Sequence, residues 1–396
     1  MNLLGVSWKN LWYRPFSTSV SVLLMLLGVA MVSLVLHISN QIEAQFKKNI
    51  AGIDMVIGAK GSPKQLILSS VYHIDAPTGN ISKSDADKVL KHPMVKTAIP
   101  LAYGDSYKGF KIVGTTKDYL DHFEATLAEG NAFEKSLEIV LGAKVAESTG
   151  LKIGSYFHGT HGMEEADQEH VHKHYDYKVV GILEPSGMAI DQLLICDVAS
   201  IWDIHSNEHG EESENEKEYT AVLVKFSNPM GMMMIPRMVN ENTKMQAAMP
   251  SIEISSLIDQ MGLGVETLRL LALLIIIISG ISVFLSLLAA LKERKYELAI
   301  MRSLGAHPIQ MVFLVVYEAL LIAMISAVLG LFLSRFMLIY LGTYLDKSFH
   351  YSFDNIGFLN QEYFLVALAL LIGLVAALVP AVMAFRINIS KTLSQD

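Results

Sequence analysis

Five of the chain's 13 histidines fall in one run, residues 156–176, which reads Y-F-H-G-T-H-G-M-E-E-A-D-Q-E-H-V-H-K-H-Y-D. His158, His161, His170, His172 and His174 stand there among Glu164, Glu165, Asp167, Glu169 and Asp176. In an extended segment H-x-H-x-H sets three imidazoles on one face, and imidazole suits zinc, copper or nickel, zinc being the ion expected. The plain alternative is a polar loop tip that need only be soluble. A second run, with His205, Glu208, His209, Glu211, Glu212 and Glu214, adds carboxylates to the same chemistry. Met230, Met232, Met233, Met234 and Met238 place thioethers, ligands for Cu(I), at helical spacing, although a core or interface helix explains them more simply. Gly58–Ser62, G-A-K-G-S, lacks the spacing of a phosphate-binding P-loop, so no Walker-type nucleotide site is read from these residues. No nucleophile paired with a base is legible, and the chain is not read as an enzyme.

Two further sets of charges need a membrane to make sense. Glu318 is the one charge inside an apolar run, 311–333, roughly 10 Å along it at about 1.5 Å per residue. A carboxylate there marks a pathway or a paired contact, and a proton relay is the sharper reading. Lys292, Glu293, Arg294, Lys295, Glu297 and Arg302 form a short mixed-charge helix stopped by Gly305, with Pro308 close behind. Basic loops of this length are ordinary beside membrane spans. The alternating signs, with Leu298, Ile300 and Met301 between them, instead suit a docking helix held between two spans.

The elements that position these residues follow from the apolar runs. Composition is 52% hydrophobic and 18% charged, too little charge for a soluble chain of 396 residues. Net charge is -8 with no basic stripe, which excludes nucleic acid as the partner. The single cysteine, Cys196, closes no disulfide within the chain. Leu4, Trp8, Leu11 and Trp12 give residues 1–16 the pattern of an amphipathic interfacial helix. Spans are read at 17–37, 270–291, 311–333 and 363–385, each long enough to cross a bilayer. The first is too long for a signal peptide and lacks a cleavage site after it.

Residues 38–50 and 251–269 continue the first two spans as stalks, with Ile38, Ile42, Phe46 and Ile50 on one and Ile254, Leu257, Ile258, Met261, Val265 and Leu268 on the other. The two stalks are expected to pack together, with Gly262 and Gly264 marking a joint. Residues 51–250 have the texture of a mixed α/β domain. Strands are predicted at 107–113, 138–141, 177–183, 193–195 and 221–226, and helices at 143–149, 198–205 and 230–243, with the histidine run inserted between hairpin strands. Residues 292–308 form the coupling segment, 334–362 a loop, and 386–396 a tail. Lys9, Arg14, Lys292, Arg294, Lys295, Arg302, Arg386 and Lys391 fall on one side, which is therefore cytoplasmic, against Arg335 and Lys347 on the other. The fold class is an α-helical four-span bundle with a large α/β (α+β) extracytoplasmic domain between spans 1 and 2.

The run A-A-L-K-E-R-K-Y-E-L-A-I-M-R-S-L-G-A at 289–306 resembles the FtsX-type permease module of MacB-like ABC transporters. The entry to the first span, S-W-K-N-L-W-Y-R-P, is similar to that family's N-terminal signature. V-G-T-T-K-D-Y-L at 113–120, E-G-N-A-F at 129–133, E-I-V-L-G-A-K-V-A-E-S-T-G-L-K-I-G-S at 138–155 and Y-K-V-V-G-I-L at 177–183 resemble its periplasmic core domain. The resemblance implies mechanotransmission. A cytoplasmic ATPase dimer binds ATP and pushes the segment after the second span, and the periplasmic domain moves to export or extract a substrate. It implies an inner-membrane dimer, most simply a homodimer, and a periplasmic adaptor as a further partner. MacB itself carries its ATPase fused, whereas the ATP here is expected on a partner subunit, as in Lol-type lipoprotein extraction. Two alternatives stay open: a zinc-linked exporter or sensor built on the histidine run, and an FtsX-like scaffold regulating a periplasmic hydrolase.

Overall fold

Pro15 divides the N-terminal apolar sequence into two helices. A computed structural model describes residues 3–13, 15–160, 176–209, 217–349, 357–387 and 389. Helix α1 (Leu3–Tyr13) is followed by α2 (Pro15–Ile50), with Pro15 at the first helical position, where its missing N–H costs nothing. At 36 residues α2 runs about 54 Å, more than a bilayer's hydrocarbon core of about 30 Å. It therefore carries both the predicted span and the predicted stalk without a break.

The chain divides into two units, one of residues 1–42 with 260–396 and one of residues 43–259. The second unit opens with β1 (Met55–Ala59), α3 (Pro63–Ser70), β2 (Ile81–Ser82), α4 (Lys83–Leu90), β3 (Val95–Tyr107), β4 (Phe110–Thr115), α5 (Lys117–His122) and β5 (Leu127–Gly130). Next come β6 (Glu138–Leu141), α6 (Ala143–Thr149), β7 (Tyr156–Phe157), β8 (Tyr177–Leu183), β9 (Leu193–Asp197) and α7 (Val198–His209). It closes with β10 (Glu218–Tyr219), β11 (Ala221–Phe226), α8 (Pro229–Asn242) and β12 (Met245–Ala248). One mixed sheet takes the order β12-β1-β11-β3-β4-β9-β6-β8-β5, with β7 on β8. The long strand β3 joins its halves, pairing Val95–Leu101 with β11 and Ala102–Tyr107 with β4. Each face carries its own core: Ile112, Ile139, Val179 and Val222 on one, Val56, Val113, Ile195 and Leu223 on the other.

The strands predicted at 138–141, 177–183 and 221–226 match, and 193–195 extends to Asp197. The predicted strand 107–113 is corrected: Lys108 and Gly109 both have positive φ, 48° and 82°, and fold it into the hairpin between β3 and β4. That pair has the left-handed backbone a tight two-residue turn requires, and strand propensity alone did not separate it from its apolar flanks. Gly58 and Ala59 end β1 and Ser62 caps α3, so G-A-K-G-S is a strand-to-helix turn.

In the first unit, α9 (Pro250–Glu293), α10 (Lys295–Ser303), α11 (Pro308–Phe349) and α12 (Asn360–Phe385) complete the set begun by α1 and α2. α2, α9, α11 and α12 are each long and apolar enough to cross a membrane. Met25, Val29, Val32 and Leu36 of α2 form a stripe with Ala272 and Ile276 of α9, Ala323 and Ala327 of α11, and Leu365 and Ala369 of α12. The alanines let the helices approach closely where apolar burial offers no advantage over lipid. The predicted loop 334–362 is corrected, since α11 continues to Phe349 and α12 begins at Asn360. After Phe332 the sequence L-S-R-F-M-L-I-Y-L holds no helix breaker, so the end of the apolar run was not the end of the helix.

Candidate functional site

The charged segment after α9 is a kinked helix with one side buried. The backbone bends at Arg294 (φ -93°, ψ 10°) and α10 starts at the next residue. Gly305, at φ 98°, ends the turn: the Ala306 amide donates to the Met301 carbonyl at 3.0 Å in a glycine-terminated cap, and Pro308 then opens α11. Leu298 and Ala299 are buried, whereas Lys292, Glu293, Lys295, Tyr296, Glu297, Ile300, Leu304 and Gly305 are exposed. The predicted coupling residues therefore separate. Lys292, Glu293, Lys295 and Glu297 offer a solvent face; Arg302 is half-buried and donates to the Ile387 carbonyl at 2.5 Å.

Arg294 is the exception within the set, only 9% exposed. Its Nη1 donates to Glu318 Oε1 at 3.2 Å, its Nη2 donates to the Asn10 carbonyl at 3.1 Å, and its guanidinium lies 5.4 Å from the Tyr13 ring centroid. Asn10 Nδ2 donates to the same Glu318 oxygen at 2.5 Å, and Ser7 Oγ donates to the Leu314 carbonyl at 3.2 Å. Glu318 is thus a paired contact that draws α1, the α9–α10 kink and α11 to one point. Sequence reasoning missed Asn10, whose only signal is being an amide on the polar edge of an amphipathic helix.

A second buried carboxylate, Glu362 of α12, accepts from Ser33 Oγ at 2.6 Å, Arg335 Nη2 at 2.5 Å and the Leu359 amide at 3.0 Å, with His37 Nε2 at 3.3 Å. It ties α2, α11 and α12 together. Glu318 and Arg335 lie 17 positions apart on α11, about 26 Å at 1.5 Å per residue, and no charge falls between them. The two knots therefore bracket a length close to a bilayer's hydrocarbon thickness. Arg335 was legible only as a basic exception on the wrong side; its position near the start of the predicted loop, with Glu362 of opposite sign at the end, was the available signal.

Within the second unit, the last turns of α2 are clamped onto the domain. Asn49, 2% exposed, accepts from the Ala189 amide at 2.8 Å, Lys48 Nζ donates to the Ser186 carbonyl at 2.6 Å, and Gln45 Nε2 donates to the Gly187 carbonyl. Asp191 shapes that loop by accepting from the Ser186 and Gly187 amides at 3.0 and 2.7 Å. Phe46 and Ile50 of α2 and Leu257 and Ile258 of α9 pack against one core cluster, around buried Ile254. The stalk stripe on α9 is thus used in its first turns, while Met261 and Leu268 are 44% and 43% exposed.

Tyr72 donates to the Phe46 carbonyl at 2.8 Å, and beside it His73, at φ 55°, has its nitrogens 2.7 Å from Tyr103 Oη and 2.9 Å from Tyr119 Oη. Tyr103 donates to the Ser69 carbonyl at 2.8 Å. Its oxygen therefore receives Nδ1–H, and Nε2 receives the Tyr119 hydroxyl, which fits a neutral ring. Burial, then Lys111, pushes the His73 pKa down to about 3.

Of the predicted metal ligands, His158 is described: its Nδ1 lies 3.0 Å from Asp176 Oδ1, at the base of the antiparallel β7–β8 pair. His161, His170, His172 and His174 lie outside the described residues, as do Glu164, Glu165, Asp167, Glu169, Glu211, Glu212, Glu214, Arg14 and Lys391. Among the described residues no group of three or more His, Cys, Asp or Glu is placed to hold a metal. Met230, Met233 and Met234 are exposed on α8, while Met232 and Met238 pack against the core.

A family model described as the MacB-like periplasmic core domain matches residues 18–232, and one described as the FtsX-like permease C-terminal matches residues 269–390. Among solved structures, the periplasmic region of MacB from Actinobacillus actinomycetemcomitans is 13% identical, with 54% of this chain and 97% of that one covered at a TM-score of 0.36. The extracellular domain of the noncanonic ABC-type transporter YknZ from Gram-positive bacteria is also 13% identical, with 49% and 98% covered at a TM-score of 0.32. No curated protein matches the chain.

Proposed function

Because this chain belongs to the MacB-like, FtsX-type permeases of ABC transporters, we propose that it transmits the movement of an ABC-type ATPase, lying outside these residues, to its periplasmic domain. The ATPase dimer docks on the exposed face of α10, through Lys292, Glu293, Lys295, Glu297 and the apolar Ile300 and Leu304. The observation that carries this reading is Arg294, buried between Glu318 and Asn10. A push on α10 is thereby delivered to α1, α9 and α11 together rather than absorbed by a loose loop. From there α2 and α9 run on as continuous helix into the domain, where Asn49 and the Asp191-braced loop receive the stroke. The working unit is a homodimer in the bacterial inner membrane with α10 in the cytoplasm, and its task is export or extraction of a substrate by mechanotransmission, with a periplasmic adaptor as an additional partner.

The test is a photo-crosslinking residue at Tyr296 or Leu304 in cells. A crosslinked protein bearing a Walker motif is expected, and the double replacement Glu293→Ala/Glu297→Ala should reduce both the crosslink and ATPase stimulation by the permease. Full stimulation in the double variant would remove α10 as the docking site.

A zinc-linked reading draws on the His158–Asp176 pair, since a carboxylate on one imidazole nitrogen orients the other toward a metal. Calorimetry with zinc on the full chain should show binding that is lost when His170, His172 and His174 are replaced by Asn. Equal heats from both proteins would retire it.

A further inference from the structure

Where α1, the start of α2 and α11 meet, a groove of about 370 Å³ is walled by Trp8, Leu11 and Trp12, by Val22 and Leu26, and by Ile322. Among the described residues no charged side chain lines it, and Thr18 and Ser19 bring only hydroxyls. A space so lined gives water too few of the two to four partners it needs, so the occupant it suits is apolar. The neighbouring side chains of α2 point to what that is: Phe16, Leu23 and Leu27 are 84%, 53% and 43% exposed on a helix that spans a membrane. The groove is continuous with a surface that hydrocarbon must cover. It is also concave and walled by three helices, so a chain lying in it exchanges open bilayer for contacts on several sides. Trp8 and Trp12 on its wall are the residues that anchor at the level of lipid headgroups. Lys9, which follows Trp8 on α1, is exposed and is the cation that would meet an anionic headgroup.

The groove shares its walls with the Glu318 joint. Leu11 follows Asn10, and Ile322 stands one helical turn from Glu318. We propose that the groove binds one acyl chain of an anionic phospholipid, which holds α1 against α2 and α11 so that Asn10 and Arg294 meet Glu318. The site is independent of the ATPase reading, since it requires only that the four helices lie in a membrane.

Trp8, Trp12 and Trp202 are the chain's 3 tryptophans, so Trp202→Phe leaves only the two on the groove. Phosphatidylglycerol with dibrominated acyl chains, titrated into this full chain in detergent, should quench their emission with saturation near one lipid per protein. Ser19→Phe fills the groove and should shift the midpoint at least roughly tenfold, the effect of denying burial to a few methylenes. Lys9→Gln should weaken phosphatidylglycerol roughly fivefold and leave brominated phosphatidylcholine unchanged. Native mass spectrometry gives a second readout: one phospholipid adduct on the wild type, absent from Ser19→Phe and from Ile325→Phe on the opposite wall. Quenching that rises without saturation, or curves and adducts the same in the filling variants, would overturn the site. Saturation equal for the two headgroups would overturn its assignment to an anionic lipid.

Discussion

His73 has both ring nitrogens engaged before any proton is added, one donating to Tyr103 and one accepting from Tyr119. A proton on Nε2 would put that nitrogen donor-to-donor against the Tyr119 hydroxyl, in a site where burial and Lys111 already hold the pKa near 3. The folded state thus excludes a proton that the unfolded chain takes up below about 6.5. Between those values the unfolded state binds more protons, so stability is full near neutral pH and falls as the pH drops from about 6.5 toward 3. The loss is bounded at about 5 kcal/mol. Thermal melts of the full chain from pH 7 to pH 4 should show it, and His73→Gln, which keeps polar groups but does not titrate there, should flatten the profile over that window. None of this was legible in the sequence, because nothing in Val71, Tyr72 and His73 themselves marks the histidine out. What makes His73 special is Tyr103 and Tyr119, brought to it by β3 and α5 from 30 and 46 positions away.

Elements were read well where one physical signal dominated. Four apolar runs gave four spans because a bilayer admits little else, and short β-branched stretches gave β6, β8 and β11. They were misread where two signals competed. The β3–β4 hairpin hid behind strand propensity, and the far half of α11 hid behind a charge, Arg335, that reads as the end of a span. Arg335 instead lies inside the helix and pairs with Glu362, a partner that belongs to α12.

The same logic makes the Arg294–Glu318 pair testable as a junction between elements. Removing one member strands the other in a buried site, at a cost of about 3–5 kcal/mol. Arg294→Leu and Glu318→Leu should each lower the melting temperature in detergent. The double replacement should cost less than the sum of the two by about 1 kcal/mol or more. Strict additivity would mean that the kink and α11 are not energetically joined. Because Asn10 also donates to Glu318, Asn10→Ala should couple to Glu318→Leu in the same cycle.

Across the whole molecule, the chain passes between its two units only twice, at Ile42–Glu43 within α2 and at Asp259–Gln260 within α9. Both crossings are helical, but they are not equally stiff. α9 carries Gly262 and Gly264 just past its crossing, and a Cβ built on either meets nothing within 4 Å. Packing therefore does not require glycine there, and neither residue has a backbone φ that does. What remains is propensity: each glycine costs a helix about 0.8–1 kcal/mol relative to alanine, so the pair leaves one turn of α9 easier to bend than any neighbouring turn. Gly262→Ala/Gly264→Ala should raise thermal stability by up to about 2 kcal/mol, since no contact opposes the change. If the proposed mechanotransmission holds and requires α9 to bend at that turn, the same variant should lower the permease-stimulated rate of the proposed ATPase partner while its basal hydrolysis stays the same. A stabilised variant with undiminished stimulation would show that bending at Gly262 and Gly264 is not needed for the proposed coupling.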